Sequence, residues 1–114
     1  MSSRIWLILG LFAVLAASCG GGEKAPVVTG PSESFPQELI NAGAEIYRMT
    51  CSVCHGREGQ GGVGAPLLGV VARKSLEEHT AIVVGGSNAM PPFGPSLTPE
   101  EIRAVVAYER ATFK

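Results

Sequence analysis

Hydrophobic residues recur at helical spacing in three segments of the chain, which begin near residues 36, 75 and 98. In the first segment, Leu39 and Ile46 fall on one face of a helix that a proline opens. Between the segments the sequence is rich in glycine and proline, and no stretch alternates as a half-buried strand would. The pattern therefore predicts an all-α fold with three main helices and long connecting loops.

Capping boxes mark the start of the second and third helices. Ser75 is followed three positions later by Glu78, ahead of an apolar run. Thr98 is followed at the same spacing by Glu101, and the proline between them suits the first position of a helix. The double glycine at residues 85–86 predicts the end of the second helix.

The first 18 residues have the composition of a secretory signal peptide. Arg4 precedes an apolar run, residues 5–17, that is shorter than the about 20 residues needed to span a bilayer. The run ends in small residues before Cys19, and LAASC resembles the lipobox of bacterial lipoproteins. The resemblance implies export, cleavage after residue 18 and lipid on Cys19, which would anchor the chain to the periplasmic, outer face of a bacterial membrane. Ordinary cleavage, with Cys19 as a spare thiol, is the alternative.

Residues 19–35 are rich in Gly, Pro and Ser, a composition typical of a flexible tether. Within this segment, the fifteen residues 20–34 have a root-mean-square reach of roughly 20 Å. The length that follows, residues 36–114, is enough for one small domain. We therefore expect a lipid-anchored tether over residues 19–35 that leads to a single domain.

Charge and aromatic content narrow the possible functions. Loss of residues 1–18 removes only Arg4 of the nine basic residues, so eight remain against ten acidic residues. Without a basic patch, nucleic acid is not an expected partner. The expected domain has no tryptophan and few large aromatic side chains, and so small a domain needs further apolar volume to complete its core.

The stretch RMTCSVCHGREG contains Cys51, Cys54 and His55. A structural zinc site commonly needs two ligand pairs, and no second pair exists. A redox dithiol belongs to a fold of alternating strands and helices, and it would leave the histidine without a role. The favoured interpretation is one covalent haem c: the two thiols form thioethers with two vinyl groups on one porphyrin edge, and the histidine presents a nitrogen to the iron.

A second axial ligand would make this haem an electron carrier. Met49 lies too close to Cys51 to cross to the opposite face of the ring. His79 falls in the second helix beside two glutamates, and we expect it to be exposed or half-buried there. Met90 lies in a proline-stiffened loop, AMPPFG, and is the favoured iron ligand; a methionine that fills a gap in the core is the alternative.

In residues 36–114 these motifs resemble those of class I monohaem cytochromes c. CSVCH, GAPLLG and AMPPFG occur in the family's order and at compatible spacings. The resemblance implies a small cytochrome c fold in which helices and long loops wrap around one covalent haem. It also implies that Gly43 and Tyr47 of the first helix cross the last helix beside Tyr108.

The same resemblance assigns residues around the haem. Pro66 corresponds to the proline whose carbonyl oxygen accepts the proton on the far nitrogen of the ligand histidine, a contact that orients the imidazole. Leu67 and Leu68 would pack on the haem face. No catalytic residue is expected. The expected cofactor-binding residues are Cys51, Cys54, His55, Pro66, Leu68 and Met90, of which His55 and Met90 would be the iron ligands.

Two filled axial positions favour one-electron transfer in a respiratory or photosynthetic chain, because a substrate could not reach the iron without ligand loss. An enzyme or gas sensor with an opening sixth site is the alternative. The mature chain has only three lysines, few for a surface that steers a mobile carrier to its partners. We therefore expect a membrane-anchored subunit of a redox complex, such as a quinol-oxidising assembly or a terminal oxidase, rather than a tethered shuttle.

Overall fold

The structure is a computed structural model that describes residues 33–114. The predicted signal peptide, Cys19 and residues 19–32 of the predicted tether lie outside the described residues, so cleavage and lipidation stay predictions. Within residues 33–114, no helix has both the length and the apolar character needed to cross a membrane.

The described chain is helical, as the sequence predicts. Its elements are α1 (Gln37–Ile46), a π-helical segment (Tyr47–Cys51), α2 (Ser52–His55), α3 (Val70–Arg73), α4 (Leu76–Gly85) and α5 (Pro99–Thr112). In place of a strand, residues 33–114 contain a single antiparallel bridge between Ser87 and Met90. The predicted all-α fold is confirmed. One turn, α3, lies in a region predicted to be loop, because four residues are too few to show a period.

Both predicted capping boxes are present. The Ser75 hydroxyl accepts a bond from the Glu78 backbone N–H at 3.1 Å, and the Glu78 carboxylate accepts one from the Ser75 N–H at 2.9 Å. At the start of α5, the reciprocal bonds between Thr98 and Glu101 measure 2.8 and 3.2 Å. Each box satisfies backbone donors that the first turn of a helix leaves free.

Helices α1 and α5 cross at a glycine. Gly43 is buried, and a Cβ at this position would collide with the backbone carbonyl of Ala104 and lie 2.8 Å from the Tyr108 Cβ. The close backbone approach explains a glycine in mid-helix, where it costs about 1 kcal/mol relative to alanine. The predicted crossing of the first and last helices beside Tyr108 is confirmed.

Three aromatic rings fill the space next to this crossing. The ring centroid of Tyr47 lies 5.3 Å from that of Tyr108 and 5.1 Å from that of Phe113. The Tyr47 hydroxyl donates to the Gly56 carbonyl oxygen at 2.6 Å, which ties the π-helical segment to the loop after His55. The aromatic cluster therefore fixes the position of the segment that carries the cysteine motif.

The N-terminal end of the described chain is held against α5. The Arg110 guanidinium, whose side chain is 1% exposed, forms an ion pair with the Glu33 carboxylate. It also donates to the carbonyl oxygens of Lys74 and Ser75 at 3.0 and 3.3 Å. Glu33 falls within the predicted tether, so the last residues of that segment contact the domain.

Candidate functional site

The cysteine motif spans the junction between the π-helical segment and α2. Cys51 is the last residue of the π-helical segment, and Cys54 and His55 lie on α2. Residues three and four apart share a helical face, so the local structure places the two thiols and the imidazole on one side. All three residues are half-buried, and neither cysteine is in a disulfide.

The electrostatic surroundings of Cys51 disfavour a thiolate. Burial, followed by the charges of Glu109 and Cys54, raises the pKa of the Cys51 thiol to about 12. Metal ligation and disulfide exchange both require the thiolate. In addition, residues 33–114 hold no cluster of three or more His, Cys, Asp or Glu side chains arranged to bind a metal ion. The raised pKa of Cys51 argues against the dithiol alternative.

The His55 ring is oriented by a backbone carbonyl. Its Nδ1 lies 2.7 Å from the carbonyl oxygen of Ala65. Because a carbonyl oxygen can only accept, Nδ1 must carry the proton, and the neutral ring keeps a free lone pair on Nε2. A histidine that binds a metal through one nitrogen usually donates its other N–H in this way.

The acceptor differs by one residue from the sequence-based prediction. That prediction assigned the carbonyl of Pro66, which was wrong: this carbonyl instead accepts from Arg73 at 2.9 Å. The shift follows from the loop before it, in which the Gly61 and Gly64 N–H groups donate to the carbonyls of His55 and Cys54, each at 2.8 Å. These bonds fold the loop over the end of α2 and bring Ala65 to the imidazole. Cofactor contact by Pro66 itself stays a prediction.

Arg73 supports the same loop and was not singled out from the sequence. Its guanidinium donates to the carbonyl of Leu68 at 2.6 Å as well as to that of Pro66. An arginine five residues past Leu68 carries no local signal for this role, because the contact depends on the turn of α3. Leu67 packs against the core, whereas Leu68 is 49% exposed. The predicted haem contact of these leucines stays a prediction.

Met90 lies at the edge of the hydrophobic core in a constrained loop. Its N–H and carbonyl pair with Ser87 at 2.9 and 3.1 Å. Gly86, at φ +75°, allows this turn, because a Cβ there would lie 2.6 Å from the Met90 carbonyl oxygen. Further along, Phe93 donates to the Val83 carbonyl at 3.0 Å and holds the loop against α4. The Met90 side chain is half-buried against the core; iron ligation stays a prediction.

The two other candidate axial ligands have different surroundings. Met49 is 65% exposed. His79 was expected to be exposed or half-buried, which is wrong: it is 4% exposed, and its Nε2 lies 2.8 Å from Glu109 Oε2. Packing of α4 on α5 buries this histidine in spite of its two acidic neighbours in the sequence. Its pairing with Glu109 is consistent with the choice of another axial ligand.

The residues present fit a covalently bound haem. Two thiols and an imidazole with a free Nε2 lie within five consecutive residues, and the half-buried sulfur of Met90 lies in a fixed loop. Large apolar side chains nearby in the sequence stay exposed to solvent, including Val53 at 78% and Val63 at 92%. A porphyrin would add the apolar area that a core of few large side chains lacks.

Two cysteine thiols followed directly by a histidine, within an all-α domain, define a c-type cytochrome. Comparison with known proteins leads to the same class: the family model described as "Cytochrome C oxidase, cbb3-type, subunit III" matches residues 38–108. The chain belongs to this family. The resemblance to class I cytochromes c inferred from the motifs is thereby confirmed.

Individual relatives and solved structures agree. The cbb3-type cytochrome c oxidase subunit FixP of Sinorhizobium medicae is 31% identical over 94% of this chain and 43% of its own length. Cytochrome c-555 of Methylococcus capsulatus is 37% identical over 69% of this chain and 63% of its own. The structure of cytochrome c6 from the diatom Phaeodactylum tricornutum superposes with a TM-score of 0.57 and 34% identity, over 63% of this chain and 91% of that one. This chain thus spans less than half the length of the FixP relative.

Proposed function

We propose that the protein transfers single electrons through one covalently bound haem c, ligated by His55 and Met90. The observation that carries the proposal is the hydrogen bond from His55 Nδ1–H to the Ala65 carbonyl, which leaves the lone pair of Nε2 free to bind iron. Similarity to cytochromes c supports haem-based electron transfer as the activity.

Each residue has a defined part in this function. The haem, when bound, supplies the reversible ferric–ferrous couple. Cys51 and Cys54 hold it by thioether bonds, and the carbonyl of Ala65 fixes the tautomer of His55 and raises its basicity. The Met90 sulfur would complete the coordination of the iron and favour its ferrous state, which would raise the reduction potential. With His55 and Met90 as the iron ligands, the haem would exchange electrons without binding a substrate.

The setting we propose is a membrane-anchored subunit of a larger redox complex. The FixP relative is a subunit of a cbb3-type oxidase, and the small number of lysines gives little charge for long-range steering. Export, lipid on Cys19 and a location on the periplasmic face of the membrane complete this proposal. A tethered shuttle is the second candidate, because a cytochrome c6 chain matches over 91% of its length, which favours a domain of this size acting as an independent carrier.

The first experiment tests covalent haem. The full chain is expressed with a c-type haem maturation system, and intact mass together with haem staining of a denaturing gel counts the haems. We expect the mass of one haem, which the Cys51→Ala/Cys54→Ala variant lacks. Haem that is lost from the wild-type chain on denaturation would contradict the proposal.

Two further measurements separate the alternatives. Carbon monoxide added to the reduced native protein should bind slowly or not at all; rapid stoichiometric binding would instead indicate an enzyme or gas sensor. Extraction of membranes with mild detergent should yield the cytochrome in a multisubunit complex, whereas a lone small haem protein favours the shuttle. A Cys19→Ser variant should leave the membrane fraction if the lipid provides the anchor.

A further inference from the structure

Helices α4 and α5 bury a group of ionisable side chains that electron transfer by the haem does not explain. His79, Glu109 and Arg110 are 4%, 3% and 2% exposed. His79 Nε2 lies 2.8 Å from Glu109 Oε2, although the angles fall short of a well-formed hydrogen bond, and His79 Nδ1 has no hydrogen-bond partner within residues 33–114. Burial of incompletely paired ionisable groups is costly, so their presence here calls for a role.

The charges in this group do not cancel. Arg110 is paired with Glu33, so these two charges compensate each other. Glu109 faces His79, which is neutral or positive according to whether it has taken up a proton. When His79 is neutral, the side chains of His79, Glu109, Arg110 and Glu33 together carry a net charge of −1. One added proton brings this net charge to zero.

The negative charge of Glu109 reaches the predicted point of haem attachment. This carboxylate contributes to the raised pKa of the Cys51 thiol, and it also contributes to the raised pKa of Tyr47. Cys51 packs against the same core that α5 lines. A porphyrin bonded to this sulfur would lie within the field of Glu109, in surroundings where charges are poorly screened.

We propose that the buried His79–Glu109 pair is a proton-linked site that tunes the reduction potential of the haem. The inference rests on the proposed function. The electron comes from the redox partner and reduces ferric to ferrous iron, and one proton from solvent binds at the free Nδ1 of His79. Oxidation returns the electron to the next carrier and the proton to solvent, so charge and atoms balance in both directions.

The sign of the effect follows from the charges. Reduction removes one positive charge from the iron, so the protein then holds a proton on the pair more tightly. At high pH the pair carries its net charge of −1, which stabilises ferric iron and lowers the potential. At low pH the added proton cancels that charge and raises the potential.

Other ionisable groups close to the pair are poor candidates for this role. Tyr47, from the π-helical segment, stays protonated because its pKa is raised above its ordinary value, chiefly by burial. Cys51 would have no titrating proton once it is a thioether. On α5, Tyr108 carries a phenol and Arg110 a guanidinium, side-chain types whose ordinary pKa values lie well above pH 8. The carboxylates of the haem itself are the rival source of a pH dependence.

The test is a spectroelectrochemical titration of the haem-loaded full chain between about pH 5 and 8. Wild-type protein should show a midpoint that falls as pH rises, with a slope approaching about 59 mV per tenfold change in proton concentration, the limit for one proton per electron. Glu109→Gln should raise the midpoint at the high-pH end and flatten the slope. The matched control Glu100→Gln, which removes an exposed carboxylate from the same helix, should follow wild type.

A second variant covers the case in which Glu109→Gln does not fold. The double variant His79→Leu/Glu109→Leu replaces the pair by apolar side chains, a change that is often neutral for stability, and it should show the same flat profile. A wild-type midpoint potential that does not change with pH overturns the inference. A pH dependence that persists in the substituted proteins also overturns it, and points to the haem carboxylates as the source. Absence of a reversible one-electron haem wave in wild type would instead overturn the proposed function.

Discussion

Substitution of Gly43 by alanine tests the crossing of α1 and α5. In an isolated helix this change would stabilise by about 1 kcal/mol. Here the new methyl group would collide with the backbone carbonyl of Ala104 and approach the Tyr108 Cβ to 2.8 Å. A backbone atom cannot turn aside as a flexible side chain can, so the helices must separate, and overpacking of this kind costs about 1–3 kcal/mol.

We take the upper end of that range, because the separation would also disturb the aromatic cluster. After the gain in helix propensity is subtracted, the free energy of unfolding should fall by about 2 kcal/mol. Denaturant titration of the haem-loaded protein, followed by circular dichroism, measures this change. Gly85→Ala is the matched control: a Cβ there meets nothing within 4 Å, so stability should be unchanged or slightly higher. Equal stability of Gly43→Ala and wild type would refute the steric argument.

Three further changes have defined outcomes. Tyr47→Phe removes the 2.6 Å hydrogen bond from the Tyr47 hydroxyl to the Gly56 carbonyl and should lower the free energy of unfolding by about 1 kcal/mol. Tyr108→Phe, which alters a ring in the same aromatic cluster, should have a smaller effect. Because the folded-state pKa of Tyr47 is raised, wild-type stability should also decline as pH rises above the ordinary tyrosine value of 10.0; a decline of the same size in Tyr47→Phe would contradict this. Thr98→Ala removes the cap of α5 and should cost about 1 kcal/mol in thermal denaturation, with Thr112→Ala, at the exposed end of that helix, as control. Met90→Ala should change the haem spectrum and lower the midpoint potential, since a thioether favours ferrous iron; an unchanged spectrum and midpoint would show that Met90 is not the ligand.

Features that depend on a few neighbouring residues could be predicted from the sequence. The capping boxes at Ser75 and Thr98 need only residues three positions apart, and the structure contains both. The spacing of Cys51, Cys54 and His55 likewise predicts one shared face in an α-helix. The glycine at position 43 indicates a close backbone approach, although its partner on α5 is 61 positions further along the sequence.

Tertiary packing decided the rest. The loop that contains Gly61 and Gly64 folds over the end of α2, and this fold determines which carbonyl lies next to the His55 ring. The acceptor is therefore Ala65, where the sequence predicted Pro66. The two glutamates before His79 are exposed, as the local pattern indicates, yet His79 itself lies on the buried side of α4, where α5 brings Glu109 to it from 30 positions away. The local sequence pattern reflects the conformational preference of one segment. Burial and ion pairing arise only when distant segments pack together and exclude water between them. The class of protein is thus evident from the motif, and the charge that surrounds its predicted haem is evident only from the fold.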